Sequence, residues 1–381
     1  MNIPKIRFSE FNDEWKKIQL NSFVEINPKN DSLPEQFIYI DLESVNNGLL
    51  TNRKIISKSE APSRAQRTVK ENDILYQTVR PYQMNNLFIN NLDSEYPYIA
   101  STGYALLRTN ENPYFVYSIL YQKSFVNKVL DMCTGTSYPA ISANDLGTIT
   151  VSLPNIKEQE KISKTLSLLD KKIELQSRKI EDLKLFKKGL IENEFSKDYP
   201  KVNLRELLKE RKLYSEKGLE YPHVTLSKEG IYDKGERYNR DFLVKSDDKQ
   251  YKITKLNDLC YNPANLKFGV ISLNEYGSAI FSPIYVTFEI NKKANPLYIK
   301  YYTTRNNFIN AVRKYEQGTV YERMAVSPED FLKFSIKLPS IEIQNKIVDK
   351  LVLLDKRINL EQSKLDNISS LKKGLMQNMF V

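Results

Sequence analysis

LPNIKEQEKISKTLSLLDKKIELQSRKIEDLKLFKKGLIENEFS (153–196) returns 185 positions later, without a gap, as LPSIEIQNKIVDKLVLLDKRINLEQSKLDNISSLKKGLMQNMFV (338–381), with 20 of the 44 aligned positions identical. Leu153-Pro154 matches Leu338-Pro339, Asp170 matches Asp355, and Lys187-Lys188-Gly189-Leu190 matches Lys372-Lys373-Gly374-Leu375. A repeat of this length implies a duplicated chain, and it organises everything else.

Both copies predict long helices. Ile162, Leu166, Leu169, Ile173, Ile180, Leu183 and Leu190 step by fours and threes, as do Ile347, Leu351, Leu354, Ile358, Leu365, Ile368 and Leu375. That spacing is a heptad seam, broken at the same place in each copy by a polar residue, Gln176 and Glu361. A polar seam residue either fixes register or marks an exposed position. Asn155 with Glu158 suggests a capping box, and Ser340 suggests a cap for the second helix. Two matched seams in one chain predict an intramolecular antiparallel coiled coil.

The duplication extends outward from the helices. Trp15–Leu20 has a counterpart in Tyr199–Leu204, and Asn72-Asp73-Ile74-Leu75-Tyr76 aligns with Asn257-Asp258-Leu259-Cys260-Tyr261 at the same offset. Strand-like runs include Phe37–Leu42 and His223–Leu226, then Ala105–Arg108 and Ile284–Phe288. Short helices are expected after Asn112-Pro113 and Asn295-Pro296, because proline suits the first helical position. Each half then carries a Gly-Thr turn, Gly135-Thr136 and Gly318-Thr319, followed by Ser142/Ser327 and Asp145/Asp330. The expected order is globular segment (1–152), helical region (153–196), globular segment (197–337), helical region (338–381), with an internal pseudo-two-fold repeat. The helices match closely and the globular loops diverge, as expected if the helices meet one partner twice and the loops meet different things, or if loops simply drift faster than packed helices.

Composition narrows the chemistry. The 381 residues suffice for two to three domains, and the net charge of +10 with pI near 9.1 suits a polyanionic partner. Cys133 and Cys260 suggest neither a disulfide framework nor a zinc site, and no stretch approaches a membrane span. With no signal-peptide pattern either, a cytoplasmic location is expected. His223 is the single histidine, which removes histidine metal clusters and most triads. No phosphate-binding or dinucleotide-binding glycine motif occurs. Asn262-Pro263-Ala264-Asn265 lacks the second proline and the aromatic residue of an amino-methyltransferase motif, and Gln77-Thr78-Val79-Arg80 at the matching place lacks it altogether. Glu329, Asp330 and Lys333 read as a solvated turn. No catalytic, cofactor-binding or metal site is expected.

What remains suits DNA. Arginine grips phosphates or guanine, and asparagine and glutamine read adenine. Lys54 and Lys58, and Lys234 in the second half, add to the basic loops. The candidates in the first half are Arg53, Arg64, Arg67, Arg80, Tyr82 and Gln83, with Thr136, Ser137 and Tyr138 in the Gly-Thr turn. In the second half they are Arg237, Arg240, Lys245, Asn265, Lys267, Thr319, Tyr321 and Arg323.

The LP-x-I-x-x-Q-x-K-I start, the LLDKKI/LLDKRI core, the KKGL-x-x-x-x-F endings at Phe195 and Phe380, and the lead-in FSEFNDEWKKIQL together resemble the specificity subunits of type I restriction–modification systems. The resemblance covers essentially the whole chain. It implies an α+β architecture of two mixed α/β target-recognition domains, 1–152 and 197–337, separated by the two helical regions. It implies recognition of a split double-stranded DNA target and assembly with two modification (methyltransferase) subunits and with restriction/motor subunits. It implies that this chain performs no chemistry, with S-adenosylmethionine, ATP and magnesium on the partner subunits. About 36 helical residues at ~1.5 Å each span ~54 Å, enough to act as a ruler between half-sites. A stand-alone sequence-specific DNA-binding regulator is the alternative.

Overall fold

The computed structural model describes residues 2–29, 32–135, 137–215, 221–233, 250–315 and 325–381. Two compact units emerge, Met1–Arg178 with Gln362–Val381, and Lys179–Glu361. Their boundaries fall inside the two long helices, Ile156–Ser196 and Ile341–Asn378. Each unit therefore holds the start of one helix and the end of the other.

Within each unit the two helical segments run antiparallel. In the first, Lys372 pairs with Asp170, while the earlier Ile162 and Leu166 share a core with the later Met379 and Phe380. In the second, Lys187 pairs with Asp355, Lys179 lies 3.2 Å from Glu361, and Lys350 lies 3.1 Å from Glu194. The two lysine–aspartate pairs join equivalent residues of the repeat. Ile162, Leu166, Ile180, Ile347 and Leu351 of the seam are buried. Leu169, Ile173, Leu183, Leu354, Ile358, Leu365 and Ile368 are half-buried. The polar interruption at Glu361 is fully buried and is neutralised by Lys179 and Arg357, so it is not a solvated position. Gln176 is half-buried.

The motif residues have definite structural work. Gln159 and Gln344 are both fully buried. Each donates its Nε2 to the proline carbonyl that precedes its helix, Pro154 or Pro339, at 2.9 Å. Each accepts at Oε1 from the backbone of Asn112 (3.2 Å) or Asn295 (2.8 Å). Those asparagines in turn cap the short helices Pro113–Ile119 and Pro296–Thr303. The terminal phenylalanines close the two cores. Phe380 stacks on Phe115 with centroids 5.2 Å apart and meets the edge of Trp15, while Phe195 packs on Tyr298 (4.9 Å) and Tyr302 (5.3 Å).

The first helix starts differently from the expected reciprocal capping box. Asn155 Oδ1 accepts from the Glu158 N–H, but the Glu158 carboxylate is buried against Arg7, with both contacts at 2.8 Å. A guanidinium offers the carboxylate two hydrogen bonds and an opposite charge, where a backbone N–H offers one bond and no charge. At the second helix the Ser340 carbonyl accepts from Ile343 and Gln344, and a side-chain hydrogen bond with Ser340 holds Glu342 below the ordinary carboxylate range.

The globular parts share a four-stranded antiparallel sheet. Its order is Val24–Ile26, Tyr104–Thr109, Ile74–Gln77, Leu87–Phe88 in the first unit, and Leu208–Glu210, Val286–Ile290, Leu259–Tyr261, Ile271–Leu273 in the second. Lys16–Gln19 pairs antiparallel with Thr150–Leu153, as Lys201–Asn203 pairs with Ser335–Lys337, tying each globular part to the strand before its helix. The remaining sheets differ. The first unit adds four strands in which Tyr98–Ser101 runs parallel to Gln36–Ile40; the second adds a three-stranded and a two-stranded antiparallel sheet. Ser142 and Ser327 cap matched short helices by accepting from Asp145 and Asp330. Asp330, expected in a solvated turn, is instead buried. Hydrogen bonds from Lys333 and Ser327 hold its carboxyl below the ordinary range. His223 packs edge-on against Tyr251 in a strand-edge bridge to Ile280.

Candidate nucleic-acid interface

Gln77 ends a buried strand, and its side chain is itself buried. Its Nε2 donates to the Val79 carbonyl at 2.7 Å and to Gln83 Oε1 at 2.8 Å, while its Oε1 accepts from the Asn85 N–H at 3.1 Å. One amide thereby moulds the loop 78–86. The loop contains the 3-10 turn Pro81–Gln83, flanked by Arg80 (φ 54°) and Met84 (φ 52°), both left-handed. Non-glycine residues in that region are costly unless the surroundings enforce them, and such strain gathers at functional sites. The turn presents Tyr82, Gln83 and Met84 to solvent.

The Gly-Thr turn is fastened to this loop. Thr134 and Val79 both bridge to Ala140, and the Arg80 N–H donates to the Pro139 carbonyl at 2.7 Å. Gly135 has φ 91°, and a Cβ there would lie 3.1 Å from the Tyr138 carbonyl oxygen, so glycine is required. The Arg80 guanidinium then sits 4.4 Å from the centre of the exposed Tyr138 ring. Arg64, Arg80, Gln83, Asn85 and Tyr138 line one cleft of about 730 Å³. Four of them are sequence candidates that lie up to 74 positions apart (64 to 138).

The other candidates of this unit sit elsewhere. Arg53 is ion-paired with Asp93 at 2.6 Å, which raises the guanidinium's pKa. Arg67 is half-buried on the strand Ala65–Thr68, with Nε buried and without a hydrogen-bond partner; burial lowers its pKa. A desolvated guanidinium of this kind suits an incoming anion. Ser137 is exposed, and Thr136 lies outside the described residues.

The second unit builds the same loop at the same offset. Asn262 takes the place of Gln77, is buried, and accepts at Oδ1 from the N–H groups of Ala264 (3.1 Å) and Asn265 (3.2 Å). The 3-10 turn Leu266–Phe268 stands where Pro81–Gln83 stands, and Gly269 (φ 80°) repeats the left-handed Met84. The side chains at the apex differ: Lys267 and exposed Phe268, with Lys267 Nζ 5.2 Å from the Phe268 ring centre. Asn265 is exposed at the loop's start. Arg237, Arg240, Lys245, Thr319, Tyr321 and Arg323 lie outside the described residues.

Asn85, Phe268 and the two buried amides escaped the sequence reading. The signal was present, since Gln77 and Asn262 align at the repeat offset, but nothing local marks an amide as a loop's organiser. Among the described residues no group of three or more His, Cys, Asp or Glu side chains is placed to hold a metal ion, and no helix is long and apolar enough to cross a membrane.

Comparisons place this geometry. Residues 12–185 match the type I restriction modification DNA specificity domain. The specificity subunit of the type I restriction enzyme HindI from Haemophilus influenzae is 26% identical over 165 residues, which cover 42% of this chain but only 35% of that relative. In structure, the S subunit of a type I restriction–modification system from M. genitalium covers 100% of this chain and 99% of its own at TM-score 0.61 and 16% identity. A chain from a structural study of complex assembly and conformational transition in a type I system covers 96% and 97%, at TM-score 0.57 and 19% identity. At those identities the structural likeness speaks for the fold. The matched domain ends inside the first long helix, Ile156–Ser196. Residues 12–185 thus match the type I restriction modification DNA specificity domain, and the whole chain has the fold of solved type I specificity subunits.

Proposed function

We propose that this chain is the DNA sequence-recognition subunit of a type I restriction–modification complex, reading a split target through its two globular parts. The observation that carries this reading is the matched apex loop: one scaffold, built twice by a buried amide and a 3-10 turn, presents Tyr82-Gln83-Met84 in one unit and Lys267-Phe268-Gly269 in the other. A fixed frame with interchangeable apex chemistry is what reading two unlike half-sites requires. The basic charge of the chain supplies the phosphate attraction.

Docking of two modification subunits is supported by a second repeat. The exposed apolar residues of the long helices recur at the offset of the duplication: Leu168/Leu353, Leu175/Leu360 and Phe186/Leu371. Solvent-facing apolar positions duplicated in register suit one partner bound twice. Methyl transfer, translocation and cleavage, with their S-adenosylmethionine, ATP and magnesium, then belong to the partner subunits, and this chain contributes recognition.

The test is co-expression with the modification subunit, followed by mass measurement and mapping of methylated DNA. Two modification chains per copy of this chain and a split methylated target are expected. Replacing residues 80–85 with 265–270 then alters one half-site only. A chain that remains alone and binds one DNA sequence tightly would instead be a regulator.

A further inference from the structure

The polarity of Gln83 is not free. Gln77 Nε2 is identified by its bond to the Val79 carbonyl, which only accepts, and Gln77 Oε1 by its bond from the Asn85 N–H, which only donates. The atom of Gln83 that meets Gln77 Nε2 is therefore its oxygen. Because Gln77 is buried, that bond turns Gln83 Oε1 toward the protein and leaves the Nε2 amino group to face outward. Asn85 repeats the arrangement more weakly, with Oδ1 accepting from the Asn47 N–H at 3.4 Å. Arg64 and Arg80 have only donors to offer. The cleft thus confronts a ligand with N–H groups from four side chains, and the one carboxylate in its lining is Glu43.

Reading adenine with glutamine needs Oε1 to accept from N6 while Nε2 donates to N7, and here that oxygen is turned inward onto the buried Gln77. Guanine presents two acceptors, N7 and O6, in the major groove, and its paired cytosine presents an N4 donor suited to a carboxylate. Resting on the recognition function proposed above, we propose that this cleft reads a G·C pair from the guanine edge, with Gln83 as a specificity-determining residue whose donor polarity is set by Gln77.

The experiment selects bound duplexes from a randomised pool, using the full chain co-expressed with its modification subunits, wild type against Gln83→Glu. A carboxylate at 83 still accepts from Gln77 Nε2 but offers oxygen where the amino group was. The half-site that changes on exchange of residues 80–85 is expected to contain a guanine in the wild type. In Gln83→Glu the preference for it falls about tenfold or more, the scale of a base-edge contact. The other half-site stays unchanged and reports that the protein is folded. A wild-type half-site without guanine, or a guanine preference that survives Gln83→Glu, overturns the proposal while the recognition function stands. A wild-type complex that selects no sequence overturns both.

Discussion

The two units solve one buried-charge problem in different ways. Asn72 and Asn257 both adopt left-handed conformations (φ 69° and 67°), and each precedes a buried aspartate that accepts from a backbone N–H three residues earlier. Asp73 is clamped by Arg108 from the strand Tyr104–Thr109, with bonds of 2.8 and 2.7 Å. Asp258 is clamped by Arg211, with bonds of 2.7 and 2.9 Å. Strand register puts Glu289 where Arg108 would be, since Leu107 pairs with the neighbour Ile74 as Phe288 pairs with Leu259. The guanidinium has moved to the adjacent strand's end while its carboxylate stayed in place. What the fold retains is the neutralised aspartate; which strand supplies the cation is open. The apex loops teach the same lesson at the surface: the organising amide stays, and the exposed residues change.

The comparison can be broken most severely at the cores. Phe195→Ala and Phe380→Ala should each cost about 3–5 kcal/mol in denaturant unfolding, the range for truncating a buried aromatic. The two values should agree within ~1 kcal/mol if the ends of the repeat are equivalent. A negligible cost for Phe380→Ala would show that only the second unit depends on its closing aromatic.

Breaking the aspartate clamp sharpens the contrast. Asp258→Asn should destabilise by about 3 kcal/mol, because it leaves a mostly buried guanidinium with only the exposed Glu289 carboxylate, 3.3 Å away, to offset it. Asp73→Asn should cost less, since the Arg108 side chain is 29% exposed against 12% for Arg211. The reverse order in thermal unfolding would contradict the burial argument.

The smallest effect is one of pH. Glu194 is buried beside Lys197 and Lys350, whose hydrogen bonds hold its carboxyl below the ordinary range. Its repeat partner is Met379, also buried. A carboxyl lowered in the fold stabilises fully above its unfolded pKa, and that contribution is lost as pH falls through the folded value. Glu194→Met, which copies the other unit, should leave stability near neutral pH almost unchanged and flatten its loss on acidification. An unaltered acid limb would place that sensitivity elsewhere.

Much of this was legible in the chain. The duplication, the two long helices, the Asn-Pro helix starts and the seam are local or periodic signals, and Lys187-Lys188-Gly189-Leu190 repeating at 372–375 needs no structure to be seen. Arg64, Arg80, Gln83 and Tyr138 were identified as residue types suited to DNA. That they share a cleft was not visible, because chain separation says nothing about which loops a sheet brings together.

The sequence by itself determined that one unit occurs twice and that each copy ends in an amphipathic helix with a Leu-Pro-x-Ile-x-x-Gln motif at its start. Tertiary structure alone decided that each helix is divided between the two units, that Lys372 meets Asp170 across 202 positions, and that Glu361 is a buried ion-paired residue. It also decided which face of Gln83 is offered to a ligand. A heptad pattern specifies which residues seek a core but not whose core they enter, and a glutamine's polarity is set by non-local hydrogen bonds that only the folded chain supplies.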